Sequence, residues 1–252
     1  MLSDDQLMRY SRQILLPQID VAGQEKLAAA KVLIIGAGGL GTPAALYLAG
    51  AGVGQLTLVD DDRVEISNLH RQVAYRQGDV SEHKSVALAA QLRELNGEVS
   101  CNALVARADS ALLAQQVPRA DIVLDCSDNF ATRMAVNQAC HDAGVPLVSG
   151  AAIRMEGQLA VFDFRQPGGP CYQCLFGDGD EPDTLCSESG VLGPVVGMIG
   201  MAQALEAIKL ICGLPVASKL HLFDGATFEW RSVAINPDTQ CQVCASDYVG
   251  GA

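Results

Sequence analysis

A short apolar run, a glycine-rich turn and a small-residue helix follow one another in VLIIGAGGLGTPAALYLAG, residues 32–50. No other stretch constrains the chain as much. Gly36, Gly38 and Gly41 fit G-x-G-x-x-G between a strand and a helix. Backbone N–H groups can there face a phosphate, and the helix N-terminus adds partial positive charge. Asp60 follows Gly41 by 19 residues and closes a second strand pattern, QLTLVD. A carboxylate at such a strand end accepts hydrogen bonds from a ribose. The fingerprint alone does not separate a dinucleotide from ATP.

Strand and helix patterns alternate on both sides of this unit. The spacing predicts helices over 3–16, 20–29, 39–52, 82–96, 129–143 and 194–213. Strands are expected at 31–36, 55–60, 99–106, 120–128, 145–152, 157–164, 219–224 and 228–235. The fold class is α/β, a doubly wound, mostly parallel, Rossmann-like sheet with a C-terminal antiparallel extension. We read residues 1–252 as a single domain. It comprises N-terminal helices (1–30), a nucleotide-binding core (31–164), and a crossover loop, helix, strands and metal-binding tail (165–252). With 252 residues at 49% hydrophobic content, one such core is readily filled. The net charge of −12 argues against a nucleic-acid partner, since phosphate backbones call for a basic face. No uninterrupted apolar run of about 18 residues suggests a membrane span, and the polar N-terminus does not read as a signal peptide. A cytoplasmic location is expected.

In so acidic a chain, anionic phosphates need local cations. Ser67, Asn68 and Arg71 in SNLHRQ lie beyond the second strand, and Lys84 opens the next helix. Their concentration there favours a triphosphate over NAD. Asp128, ending the strand pattern in LDCSDN, has two readings: a magnesium ligand or the cap of the next helix.

Nine cysteines make an odd count for a disulfide framework. Cys171 and Cys174 form one C-x-x-C, and Cys241 and Cys244 another, 66 residues on. Together they supply the four thiolates of a closed, structural zinc site tying a late loop to the tail. A redox pair is the rival reading. Cys101, Cys126, Cys140 and Cys212 sit in apolar patterns and read as buried. Cys186, in polar loop sequence, is a possible reactive thiol.

Taken in order, Arg12 in RYSRQI, GAGGLG, the Asp60 segment with SNLHRQ, Lys84, DCSDN, SGAAIRMEGQ and the paired C-x-x-C resemble the ubiquitin-activating-enzyme-like adenylyltransferases, the HesA/MoeB/ThiF family. The molybdopterin-synthase branch is the nearer match and the thiamine-pathway branch the alternative. The resemblance runs from about Arg9 to Cys244. It implies a homodimer that uses ATP and magnesium to adenylate the C-terminal glycine of a small ubiquitin-fold sulfur carrier ending in Gly-Gly. By the same resemblance, Gly36, Gly38, Gly39 and Gly41 line the nucleotide loop and Asp60 holds the ribose. Asn68, Arg71 and Lys84 hold phosphates, Asp128 binds magnesium, and Arg12 reaches the partner subunit's ATP. Cys186 matches a loop cysteine that some relatives use covalently. No C-terminal sulfurtransferase segment is evident, so a separate sulfurtransferase would supply the sulfur. A nicotinamide-dependent dehydrogenase would explain the glycine loop and Asp60 but neither SNLHRQ nor the cysteine pairs. A partner that has lost its ATP site would lack residues present here. The closing YVGGA looks like a carrier tail with one extra residue.

Overall fold

The computed structural model describes residues 1–177 and 190–245. Cys186 and the YVGGA tail lie outside the described residues. The helices among them are α1 Asp4–Arg9, α2 Ser11–Ile14, α3 Asp20–Ala29, α4 Gly41–Gly50, α5 Lys84–Leu95, α6 Ser110–Gln116, α7 Phe130–Ala143, α8 Tyr172–Phe176 and α9 Gly193–Cys212. The strands are β1 Lys31–Ile35, β2 Gln55–Val59, β3 Ser100–Leu104, β4 Ile122–Asp125, β5 Leu147–Ile153, β6 Glu156–Phe162, β7 Lys219–Asp224 and β8 Glu229–Ala234.

All eight strands join one sheet in the order β3-β2-β1-β4-β5-β6-β7-β8. The first five pair in parallel and the last three add antiparallel, so the sheet is mixed, with the expected extension. β1 is buried on both faces. Val32 and Ile34 pack with Leu27, Leu48, Leu88 and Ile199 of α3, α4, α5 and α9. Leu33 and Ile35 pack with Leu113, Val136 and Tyr172 of α6, α7 and α8. A strand covered on both sides reads as an unbroken apolar run, which is why KVLII shows no alternation.

Three expectations are corrected, one of them by the short α8, which lies where the crossover loop was expected. The first helix breaks at Tyr10, whose buried ring turns inward so that its hydroxyl accepts from Asn96 Nδ2 at 2.8 Å. α6 had not been expected. It starts at an Asp109 cap, whose carboxylate accepts from Leu112 N–H at 2.8 Å. α9 is long and apolar enough to cross a bilayer by length and composition. It is instead a core helix, with Val195, Val196, Ile199, Ala204 and Ala207 buried.

Glycines let α4 and α9 close on the loop after β1. A Cβ on Gly41 would run into the Gly36 carbonyl oxygen, and one on Gly39 would lie 2.7 Å from Val196 Cγ1. Gly36 adopts φ +93°, a conformation glycine tolerates best. Gly41→Ala should therefore lower the melting temperature by roughly 5–10 °C, as expected for an overpacking loss of about 2–3 kcal/mol. Gly50→Ala, with open space around the added methyl, should leave it unchanged or raise it slightly. Calorimetry of the two variants side by side tests the distinction.

Candidate active site

The strand order reverses direction between β1 and β4, and the crevice beyond the carboxyl ends of such strands is where open α/β sheets bind ligands. The glycine loop after β1 forms one lip. The segment after β4 forms the other and touches it, since a Cβ on Gly36 would meet Cys126 O and Ser127 N.

Asp60, directly after β2, turns its carboxylate into the loop. Oδ2 accepts from Ala37 N–H at 2.7 Å and Oδ1 from Asp62 N–H at 2.9 Å. Burial raises its pKa, opposed by the Ala37 N–H and the charge of Lys84. Lys84 is almost buried, and its ammonium pairs with the exposed Asp62 carboxylate at 2.7 Å. Tyr75, which sequence reasoning missed, donates to Ala37 O at 2.7 Å and lies 3.1 Å from Lys84 O. Loop and Lys84 thus share one anchor. Arg71 Nη1 donates to Ser67 O at 3.1 Å and meets His70 Nε2 at 2.9 Å. Asn68 is buried, its Oδ1 accepting from Glu65 N–H at 3.1 Å, whereas Ser67 is exposed. Beside the loop, Thr42 Oγ1 and Gln72 Oε1 are buried without a hydrogen-bond partner.

Asp128 is exposed just past β4. It does not cap α7. Asn129 does, its Oδ1 accepting from Thr132 N–H at 2.9 Å. That removes the helix-cap reading and leaves an exposed carboxylate, a donor of the kind a hard cation such as magnesium takes. Asp125 is fully buried, and its Oδ1 accepts from the Ser127 hydroxyl at 2.6 Å. Arg133, also unforeseen, donates to Ser127 O at 2.5 Å and Gly150 O at 3.0 Å. On the other side, Gln203 of α9 donates to Asp125 O at 2.8 Å and Val148 O at 3.1 Å. These polar groups fix the ends of β4 and β5 under Asp128. The entry to α9 is pinned as well: Arg154, at the β5–β6 turn, donates to Gly190 O and accepts from Leu192 N–H, both at 2.9 Å.

Arg12 lies elsewhere. α2 follows Tyr10, which packs against Gly52 and Asn96 at the C-terminal ends of α4 and α5. The glycine loop and Lys84 sit at the opposite ends of those helices, which are about 15–18 Å long. The exposed Arg12 is therefore not part of its own chain's crevice. A cavity of about 490 Å³ lies over β1, β2 and β3 among Leu33, Thr57, Asn102 and Arg119, and none of the glycine-loop residues lines it.

The four cysteines converge away from the crevice. Sγ–Sγ distances are 3.9 Å for Cys171–Cys174, 3.5 Å for Cys171–Cys241 and 3.3 Å for Cys174–Cys244, and all four sulfurs lie within 4.8 Å of one another. Tetrahedral zinc with bonds of about 2.3 Å spaces its sulfurs by about 3.8 Å, so the donor set fits. A disulfide, at about 2.05 Å, does not. Burial pushes the Cys171 thiol up to about 11 against the lowering effect of the Cys174 N–H and the Asn137 amide. Burial also raises Cys244. Cys241 is held low, since N–H groups of Cys244 and Val243 outweigh its burial. Cys101, Cys126, Cys140 and Cys212 are buried and free, as expected.

Residues 10–243 match the model of the ThiF family. The chain is 49% identical to the sulfur carrier protein ThiS adenylyltransferase of Escherichia coli K12, covering 96% of this chain and 97% of that one. It is 44% identical to the molybdopterin-synthase adenylyltransferase of the same organism, covering 96% and 98%. Mouse adenylyltransferase and sulfurtransferase MOCS3 is 47% identical over 96% of this chain, which spans 54% of that protein. Among solved structures, E. coli MccB with ATP superposes with a TM-score of 0.82 at 26% identity, over 94% of this chain and 74% of that one. The crevice, the cysteine cluster and the near full-length likeness to the first two relatives agree, and the chain belongs to the ThiF family, whose relatives named above include adenylyltransferases.

Proposed function

We propose that the chain transfers the adenylyl group of ATP to the C-terminal glycine of a small ubiquitin-fold sulfur carrier ending in Gly-Gly, releasing pyrophosphate. The observation that carries this reading is the meeting of the glycine loop, Asp60, Lys84 and the Asp128 segment at the sheet's switch point in a protein so similar to two sulfur-carrier adenylyltransferases over nearly its whole length.

The nucleophile is a terminal carboxylate with an ordinary pKa of about 3.5, already ionised at neutral pH. No general base is needed. The difficulty is bringing one anion onto another. Glycine-loop N–H groups receive the phosphates. Arg71 and Lys84 offset the charge on the transferring and departing groups, with Lys84 leaving Asp62 to do so. Asp60 holds the ribose. Asp128 would hold magnesium, which screens phosphate charge when bound. Arg12 is contributed by a second copy of the chain in a homodimer. Exposed apolar residues on the outer faces of α4 and α9, Tyr47, Met201 and Leu205, suit such a contact. A separate sulfurtransferase then supplies sulfur to the adenylated carrier, in the cytoplasm.

Two carriers compete. The SGAAIRMEGQ segment favours the molybdopterin-synthase small subunit, which would place the enzyme in molybdenum cofactor biosynthesis. The higher identity to the ThiS adenylyltransferase, 49% against 44%, favours the thiamine-pathway carrier. ATP–pyrophosphate exchange with each carrier in turn tests both. Carrier-dependent exchange is expected, and the faster carrier assigns the pathway. No exchange with either, from folded protein, would overturn the reading.

A further inference from the structure

A zinc ion held by four thiolates carries a formal charge of about −2, and hydrogen-bond donors around the sulfurs spread that excess. The backbone supplies several. Asp238 N–H donates to Cys174 Sγ at 3.4 Å, and N–H groups of Cys244 and Val243 reach Cys241. Cys171 is fully buried and has a side chain beside it from outside the cluster.

That side chain is Asn137, on α7, also fully buried. Its Oδ1 accepts from Tyr172 N–H at 2.8 Å, and Tyr172 is the chain neighbour of Cys171. This bond fixes the amide plane. Because Tyr172 directly follows Cys171, the same bond sets the amide beside the Cys171 sulfur, whose pKa it lowers, while Nδ2 closes no hydrogen bond of full geometry. A buried amide donor left unsatisfied is destabilising, so such donors are rarely kept without a use. A thiol is a weak acceptor, whereas a metal-bound thiolate is a good one. Arg133, four residues earlier on the same helix, grips Ser127 O and Gly150 O.

We propose that Asn137 is a positioning residue for the metal centre: its Nδ2 donates to the Cys171 thiolate of bound zinc, orienting that ligand and joining the cysteine cluster to the helix that carries Arg133. The inference rests on the four-cysteine site binding zinc.

The test is the apparent zinc affinity of the full chain, by competition with a chromogenic chelator, for the parent, Asn137→Asp and Asn137→Leu. Asn137→Asp keeps the acceptor for Tyr172 but trades the donor for a carboxylate that also repels the thiolates, whereas Asn137→Leu loses donor and acceptor without adding charge. Affinity should fall about 10–100-fold in each, with far-UV circular dichroism unchanged. Parental affinity in both folded variants would overturn the proposal and leave the zinc reading intact. A parent that binds no zinc would remove the zinc reading itself. Should the variants not fold, the parent loaded with cadmium-113 decides by NMR. Scalar coupling between the metal and an Asn137 side-chain amide proton supports the bond, and an assigned but uncoupled amide overturns it.

Discussion

Asp128→Ala should fold and melt as the parent does and yet lose roughly two to three orders of magnitude of carrier-dependent ATP–pyrophosphate exchange, the scale seen when one preorganised charge is removed from a transition state. The structural half follows from what Asp128 does not do. It is exposed, and Asn129 rather than Asp128 caps α7. Removing it leaves no buried group unpaired, so the melting temperature should move by no more than about 2 °C. The catalytic half follows from its place just past β4, above the buried Asp125, Ser127 and Arg133 that fix this strand end. Asn129→Ala makes the contrast. Loss of the cap costs about 1 kcal/mol of stability, with a smaller effect on exchange. Exchange at the parental rate in a folded Asp128→Ala protein would remove the magnesium role.

Removal of metal should have the largest effect on stability. The purified chain should carry one zinc, and stripping it with a chelator, or Cys244→Ser, should lower the melting temperature by about 10 °C, corresponding to several kcal/mol in a chain of this size. The tail has little else to hold it. Among the described residues, the apolar cluster around the cysteines contains only Val243 and Phe164 besides the sulfurs, and all six residues of β8 are exposed. Without metal, burial holds the Cys171 proton to about pH 11. Zinc must displace protons at neutral pH, so zinc affinity should fall as pH falls. Calorimetry with and without chelator, alongside metal analysis, checks both points. A metal-free chain that melts at the parental temperature would leave the cluster without a structural role.

Much of this was legible in the sequence because the signals are local. The apolar runs of β1 and β4, the Gly144 cap at the end of α7 and the glycine loop each depend on a few neighbouring residues. So do the C-x-x-C pairs, whose mutual approach follows from the chemistry of four thiolates. What escaped notice is non-local. Arg133, Asn137 and Gln203 sit in helices whose polar positions look like solvent-facing ones, and only the sheet packed against them makes them buried. Tyr75 reads as an ordinary aromatic until its hydroxyl is found between Ala37 and Lys84. Lys84 was read for its charge, but its pairing with Asp62 depends on how the β2–α5 connection folds back. Tyr10 broke the first helix because a distant partner, Asn96, outweighed local helical spacing. α6 left a faint local sign, the Asp109 cap ahead of SALLAQQ.

The separation of the two cysteine pairs also sets an order of assembly. Cys171 and Cys174 emerge before α9, β7 and β8, and Cys241 and Cys244 only after them. Bringing the pairs together closes a long loop, an entropic cost that falls once β7 and β8 have paired onto β6 and carried the tail into place. Zinc bound by the cluster would then be captured last, and its capture would report that the described elements between the pairs have docked, including α9, whose first turns abut Arg71 and Gly39. In a cell short of zinc, newly made chains would complete the sheet and stop there. They would be distinguishable from mature enzyme by a tail open to proteolysis.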